Sequence, residues 1–524
     1  MDFDFLEEDD FPIDPLLSSR RPPTHTEIDE ILDRFVEGEM SSLEAEAAFE
    51  RLARAQGPTL ARLLEMAASP DPDLYQVAAA VLPEMDLSPA INPLRRLLAN
   101  QSIDDDHKMS ILHALWLLGG IGPGDDPFVH LSDPEAMIRD SQHAFLDLLQ
   151  DPSQLETVLR AELEGGVPTL VRAEALAAMA STGDRRIRPL FLCLLHADDS
   201  GVVTGAIEAL EVFQDPATVP MLEERARYDP VPSIRRAARQ AADALSSEMI
   251  LQPLSVLELP VAPPPLARCL ISTIDGNGGQ ILLVIRQVPD DPPVFCDVMF
   301  NDHEGIKDCY GGQANSVDEI GLAIVEGMAE MGIEMVDIGV DRALTELQRA
   351  YHTTLEAKRR LPFSFMAWQA WLEGEDPYVV TSFTLPHISA QERTDLLARC
   401  DDLLDLEEFT SWFFDPEELK GLERRFRKLV PREGTDDAVE ALVTQGIRRI
   451  VDGPRRQMLK DRLLRQSWLL AQVYEDREVP ELALAAAAGL GDDYDAPLVD
   501  HPLLRGMILR SFSNAVQPFF LGSR

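Results

Sequence analysis

Asp297, Asp302, His303, Glu304 and Asp308 bring four carboxylates and an imidazole into a dozen residues. Carboxylate oxygens suit a divalent cation, and a carboxylate beside an imidazole suits proton transfer. Asp302, His303 and Glu304 are therefore the candidate ligand or metal residues of the chain. Their spacing fits neither the calcium loop of an EF-hand nor a His-Glu-x-x-His zinc helix. A polar hairpin tip needs Asn, Asp and Gly in any case. The favoured assignment of 301–305 is thus a structural turn, with no metal site, no cofactor and no catalytic residue assigned.

The elements that must position these residues alternate with period two. Segments 269–274 and 280–285 flank Asp275-Gly276-Asn277-Gly278-Gly279, a hairpin loop whose glycines can take positive φ. Segments 294–300 and 306–310 flank the second turn. Helices are expected over 317–331 and 342–360. A four-stranded antiparallel meander with helices on one face is the economical arrangement, because the strands need a cover for their apolar side.

After residue 362 the chain becomes aromatic and then helical. Phe363, Phe365, Trp368, Trp371, Tyr378 and Phe383 suit a ligand cage or a peptide groove; cement between two domains is the preferred role. Helices follow at about 390–404, 416–428, 437–450, 456–474, 481–490 and 502–512. Arg424-Arg425-Phe426-Arg427-Lys428 and Arg455-Arg456 concentrate cations. They could neutralise the acidic arm of residues 1–24 in cis, contact a partner, or form solvated helix faces, the last being favoured. His352, His387 and His501 stand alone and read as surface or satisfied core histidines.

The first half carries a different pattern. A helical phrase recurs at Ala78, Ile111, Gln142, Ala175, Ala206 and Ala238, at intervals of 33, 31, 33, 31 and 32 residues. A unit this short is one pair of helices and must lean on a neighbour to bury its apolar stripe. Small residues in Val171–Met179, Val203–Leu210 and Ile234–Ala242 mark where two helices come close. Asp133-Pro134 precedes Arg139 by six residues, and Asp229-Pro230 precedes Arg235 by the same distance. This pattern resembles the HEAT-repeat family over roughly residues 58–247, and the resemblance implies a ladder of Asp and Arg between successive units. Gln76 near the Arg position of the first unit, and Thr204 at that of the fifth, interrupt it.

With 47 Lys and Arg against 91 Asp and Glu, the formal charge is −44. Such a field repels phosphate backbones, which argues against nucleic acid as a partner. Arg235, Arg236 and Arg239 form one local basic patch, and with Arg139 and Arg172 they are the candidate partner-binding residues. The first residues lack the basic and apolar regions of a secretory signal. The apolar stretch 482–490 is far shorter than the ~20 residues of a spanning helix. Five scattered cysteines form no Cys-x-x-Cys pair and are expected to be reduced and buried. A cytoplasmic location is expected; the oligomeric state is left open.

The expected organisation is a mainly α chain. A disordered acidic arm covers 1–24, capping helices 25–57, and a HEAT-like α-solenoid of about six helical hairpins 58–250. A Pro-rich linker follows at 251–266, then an α+β domain at 267–375 and a C-terminal helical domain at 376–524. Ser41-Ser42-Leu43-Glu44 has capping-box spacing, so a helix should run from there to about Ala55. No phosphate-binding loop, nucleophile elbow or zinc-hydrolase helix is present, so none of those enzyme classes is supported. The expected function is a non-catalytic protein-interaction scaffold. The alternative is an enzyme or small-ligand protein, either at the 301–308 turn or through the similarity of HEAT-like repeats to phycobilisome lyases, which attach bilin pigments.

Overall fold

Aspartates punctuate the helical half of the chain, and five of them cap helix starts. The carboxylates of Asp71, Asp104, Asp133, Asp151 and Asp199 accept from Asp73, His107, Ala136, Ser153 and Gly201 backbone N–H groups, satisfying donors left open at a helix start. The computed structural model describes residues 15–37, 40, 42–122, 127–164, 171–249, 264–289, 291–372, 385–429, 436–491 and 496–516. Two compact units meet in the chain between Leu146 and Asp147.

The first unit contains α1 (Pro15–Ser18), α2 (His25–Glu37), α3 (Ser42–Ala53), α4 (Gln56–Ala67), α5 (Pro72–Glu84), α6 (Ile91–Leu98) and α7 (Asp105–Leu117). Its core includes Ile31, Leu52, Leu63, Ala78, Leu82 and Leu115. The helix α8 (Pro134–Leu148) spans the boundary. The arm expected to run to residue 24 is replaced from Pro15 by ordered chain. Leu17 is buried, and Arg51 and Arg54 donate to the carbonyls of Leu16 and Ser19 at 3.1 and 2.7 Å. Thr24 and Glu27 exchange side-chain and backbone hydrogen bonds at the start of α2, a reciprocal cap. Residues 1–14, Ser41 of the expected capping box and most of the Pro-rich 251–266 lie outside the described residues.

The second unit begins with α9 (Pro152–Glu164), α10 (Ala173–Ser181), α11 (Arg188–Leu194), α12 (Ser200–Phe213), α13 (Val219–Tyr228) and α14 (Pro232–Met249). Helices α10, α12 and α14 stack in one row; α11 pairs with α12, α13 with α14, and α9 lies against α11. The small residues act as expected: a Cβ at Gly205 of α12 would sit 3.5 Å from Leu176 and 3.8 Å from the Ala173 backbone, both from α10.

Strands β1 (Leu266–Ser272), β2 (Gly279–Arg286), β3 (Val294–Asn301) and β4 (Gly305–Gln313) form the expected meander. The sheet is nevertheless five-stranded, because β5 (Met335–Asp337) pairs antiparallel with β1 and completes the order β4-β3-β2-β1-β5. Helices also cover both faces instead of one. Leu270, Leu283, Ile285 and Phe295 pack under α15 (Val317–Glu330). Residues 306, 309 and 311, on the other face, meet α16 (Val340–Glu356) and α17 (Phe363–Leu372). The physical cause lies in β2, where Leu282–Ile285 is buried at every position, as in a strand enclosed on both sides.

Helices α18 (Ala390–Leu397), α19 (Leu422–Leu429), α20 (Asp436–Ile450), α21 (Gly453–Val473), α22 (Glu478–Gly489) and α23 (Pro502–Val516) complete the chain. Their core surrounds Phe409, Trp412, Leu463, Ile508 and Phe512. The helix expected to reach 404 changes to 3-10 turns at Cys400–Asp405, and the one expected from 416 starts only at Leu422. All five cysteines are free and buried. No helix among the described residues is long and apolar enough to cross a membrane.

Candidate interaction surface and the 301–308 turn

The turn between β3 and β4 disperses the residues proposed to converge there. Asn301 Oδ1 accepts from the His303 and Glu304 amides at 3.3 and 2.6 Å, which sets the tip. Asp302 turns inward: its two oxygens accept from Nε and Nη2 of Arg462 on α21 at 2.8 and 2.9 Å, a bidentate pair in which both side chains are buried. Burial opposes the charge on Asp302, but Arg462's hydrogen bonds and charge prevail and lower its pKa. Glu304 instead pairs with Arg359 at 2.7 Å and with Lys307. His303 stays half exposed, its Nδ1 3.4 Å from Asp302. Among the described residues, no group of three or more His, Cys, Asp or Glu could hold a metal ion.

The first hairpin loop is fastened to α21, where Gln466 Oε1 accepts from Ile274 N at 2.8 Å, and to the turn at Ser411–Trp412. Asp275 Oδ1 accepts from Asn277 and Gly279 amides, Gly276 N donates to Ser411 Oγ at 2.9 Å, and Trp412 Nε1 donates to Ile274 O at 3.0 Å. A Cβ at Gly276 would lie 1.9 Å from the Ser411 carbonyl oxygen, so only glycine fits this approach. Between the two loops, Glu346 of α16 collects Arg349 at 2.5 Å, Arg342, and Arg465 at 3.8 Å. Burial and the neighbouring Arg349 bring the Arg465 pKa down to about 9. Both hairpin tips therefore anchor the sheet to the C-terminal helices.

Asp297 and Asp308 of the original constellation have a different setting. Asp297 is half-buried on the β3 face shared with Leu283 and Tyr310. Burial, and secondarily the charge of Asp308, push its carboxyl up to about 7. Asp308 accepts from Ser364 Oγ at 2.7 Å.

On its other side the sheet domain is clamped to the helical repeats. Trp368 of α17, fully buried, donates from Nε1 to Glu156 Oε2 of α9 at 2.7 Å, and Arg160 of α9 lies over the Phe363 ring. Gly311 of β4 makes room for that indole, since a Cβ there would be 2.5 Å from Trp368 Cε2. Arg360 donates to Asp229 Oδ2 at 2.9 Å and to the carbonyls of Ala197 and Asp198 at 2.5 and 2.9 Å; Tyr351 donates to Glu224. Of the aromatic run, Phe363 and Trp368 meet α9, Phe365 lies beside Tyr351 of α16 and the Trp371 carbonyl accepts from Arg286, while Tyr378 and Phe383 lie outside the described residues. Buried His196 sits in this joint, where burial and then Arg225 and Arg360 hold its pKa well below the usual imidazole value.

The expected Asp–Arg ladder takes another form. Arg235 donates to the backbone carbonyls of Asp229 and Pro230 at 2.6 and 3.1 Å, because the Asp229 carboxylate is already occupied by the Val231 amide and Arg360. Ion pairs do connect successive units elsewhere, at Arg186–Asp147 (2.6 Å) and Arg188–Asp215 (2.5 Å). Of the candidate partner-binding residues, Arg139 on α8, Arg172 at the cap of α10, and Arg236 and Arg239 on α14 are exposed, and Arg235 is intermediate. Four of these five lie on the α10–α12–α14 row or at its cap. The sheet domain takes α9, α11 and the end of α13.

Residues 156–243 match the family model for HEAT repeats. This segment contains α10, α11, α12 and α13, most of α9 and the first part of α14, so the HEAT-repeat match is confined to that stretch of the chain. Neither the comparison with curated proteins nor that with solved structures finds a match.

Proposed function

We propose that this protein is a non-catalytic protein-interaction scaffold in which the HEAT repeats both mount the sheet domain and present a surface to a protein partner. The observation that carries the proposal is the division of labour between the two rows. α9, α11 and α13 are engaged by α17, Tyr351 and Arg360, whereas α10 turns Glu174, α12 turns Glu208, Glu211 and Val212, and α14 turns Arg236 and Arg239 to solvent. Stacked repeats form extended surfaces suited to recognition. A cytoplasmic setting agrees with the free cysteines, and the charge of −44 favours protein over nucleic acid.

The enzyme or ligand-binding alternative draws little support. At the 301–308 turn it would need Asp302, His303 and Glu304 to converge, and the first and third are committed to Arg462 and to Arg359 and Lys307. The test is affinity capture with wild type and an Arg236→Glu/Arg239→Glu variant, both checked for native melting. A partner recovered by the wild type and lost from the variant supports the proposal. Equal recovery of every partner by both forms removes this surface from it.

A further inference from the structure

The C-terminal helices carry a second basic surface in this acidic chain. Helix α19 reads Leu-Glu-Arg-Arg-Phe-Arg-Lys-Leu. Leu422 is buried and Phe426 stacks on Phe512 at 5.0 Å, which turns the cations outward. Arg425 Nη1 donates to Gln445 Oε1 on α20 at 2.9 Å, and Arg449 Nη1 donates to Lys420 O, just before α19, at 3.0 Å. The two bonds run in opposite chain directions, so the helices lie antiparallel and side by side. Residues three and four apart share a helix face. Arg448 and Arg449 therefore lie beside Gln445, and Lys428 beside Arg425, making one patch with Arg424.

Little within the patch neutralises it. Among the described residues, Lys428, Arg448 and Arg449 form no ion pair, and Arg424 reaches only Glu423, at 3.6 Å. The nearby acids Glu417, Glu418 and Glu440 are committed to Lys420, Arg455 and Arg505. The chain as a whole holds 91 acids against 47 bases, so five exposed cations from two helices stand out as a local field of opposite sign.

We propose that the α19–α20 face docks a short acidic peptide segment of a protein partner. This deepens the scaffold proposal by assigning a second contact and the chemistry of what it holds. A peptide fits better than nucleic acid. A few carboxylates meet the patch without bringing the dense phosphate charge that the remainder of the protein repels.

The test uses the full chain and a fluorescein-labelled acidic peptide that the chain does not itself contain, Gly-Glu-Asp-Glu-Gly-Glu-Asp-Glu-Gly, standing in for the partner segment. Anisotropy should show saturable binding that weakens with salt. An Arg424→Glu/Lys428→Glu/Arg448→Glu variant should lose about tenfold or more in affinity, in line with the steep effect of opposing charge at such contacts. Lys358→Glu, outside the patch, should change it less than twofold. Because three reversals can disturb folding, Arg448→Ala alone is measured beside the triple variant and should give an intermediate loss at unchanged melting temperature. Absence of peptide binding, equal binding by the triple variant, or preferential binding of a single-stranded oligonucleotide overturns the proposal. Those outcomes leave the separate result with Arg236 and Arg239 standing, so the two proposals fail independently.

Discussion

The indole N–H of Trp368 donates to the Glu156 carboxylate at 2.7 Å across 212 positions of sequence, inside a joint from which solvent is excluded. The other carboxylate oxygen accepts from Arg160 at 2.9 Å. One buried hydrogen bond thus ties the sheet domain to the first helix of the second unit, where apolar packing by α17 provides area but no register.

Trp368→Phe keeps most of that area and removes the donor, leaving a buried carboxylate oxygen unsatisfied. It should cost about 1–3 kcal/mol of unfolding free energy. Adding Glu156→Leu should recover part of the loss, since the stranded charge disappears with its partner. Urea melts of the two single variants and the double variant measure the coupling; strict additivity would show that the bond contributes nothing.

Asp297 makes stability fall as pH rises. Burial holds its pKa at about 7 in the fold against an ordinary carboxyl value of 3.8, so between those values the folded chain binds more protons than the unfolded one. Stability is then highest below about pH 4 as far as this group is concerned, and is lost progressively up to about pH 7. Asp297→Asn should flatten this limb and raise stability at pH 8 by a few kcal/mol at most, taking about 1.4 kcal/mol per pKa unit as an upper scale. Thermal melts at pH 5 and pH 8 give the difference; an unchanged pH slope in the variant would contradict it.

His196 acts in the opposite sense. Its folded pKa lies below the usual 6.5, so the unfolded chain takes up the proton first. The stability associated with a neutral imidazole is present above about pH 6.5 and is lost as pH falls below it. His196→Leu should reduce that loss between pH 6.5 and pH 5 in the same melts. An acid limb as steep as that of the wild type would place the sensitivity elsewhere.

The repeat is readable because its helical phrase recurs at 31 to 33 residues, and its small residues pack against the next helix of the row only about 30 residues away in sequence, as Gly205 does on Leu176. The strands were readable for the same reason, their alternation and glycine loops being short-range. What escaped were partners supplied from far along the chain. Nothing around Asp302 signals that Arg462 will take both its oxygens, nor around Asp229 that Arg360 will occupy its carboxylate and leave Arg235 to backbone carbonyls. β5 is too short, at three residues, to show alternation. The unbroken apolar run Leu282-Leu283-Val284-Ile285 did carry a signal for helices on both faces, as did Thr24-x-x-Glu27 for the cap of α2.

Gln214 ends α12 in the left-handed region at φ 56°, where its amide closes on Leu210 O at 3.1 Å. A side chain with a Cβ is strained there by about 1 kcal/mol or more. Gln214→Gly should relieve part of this and raise the melting temperature slightly, even though Gln214 Nε2 loses its bond to Glu211 O. A lower melting temperature would show that the side-chain bond outweighs the strain.

The division of the repeats into an engaged row and a presenting row is tested most directly by site-specific photo-crosslinking. A photoreactive residue placed at Val212, which is 51% exposed on α12, should crosslink a protein partner in trans. The same residue at Tyr351, against Glu224 of α13, should crosslink within the chain. Partner capture from position 351 together with none from position 212 would contradict the account.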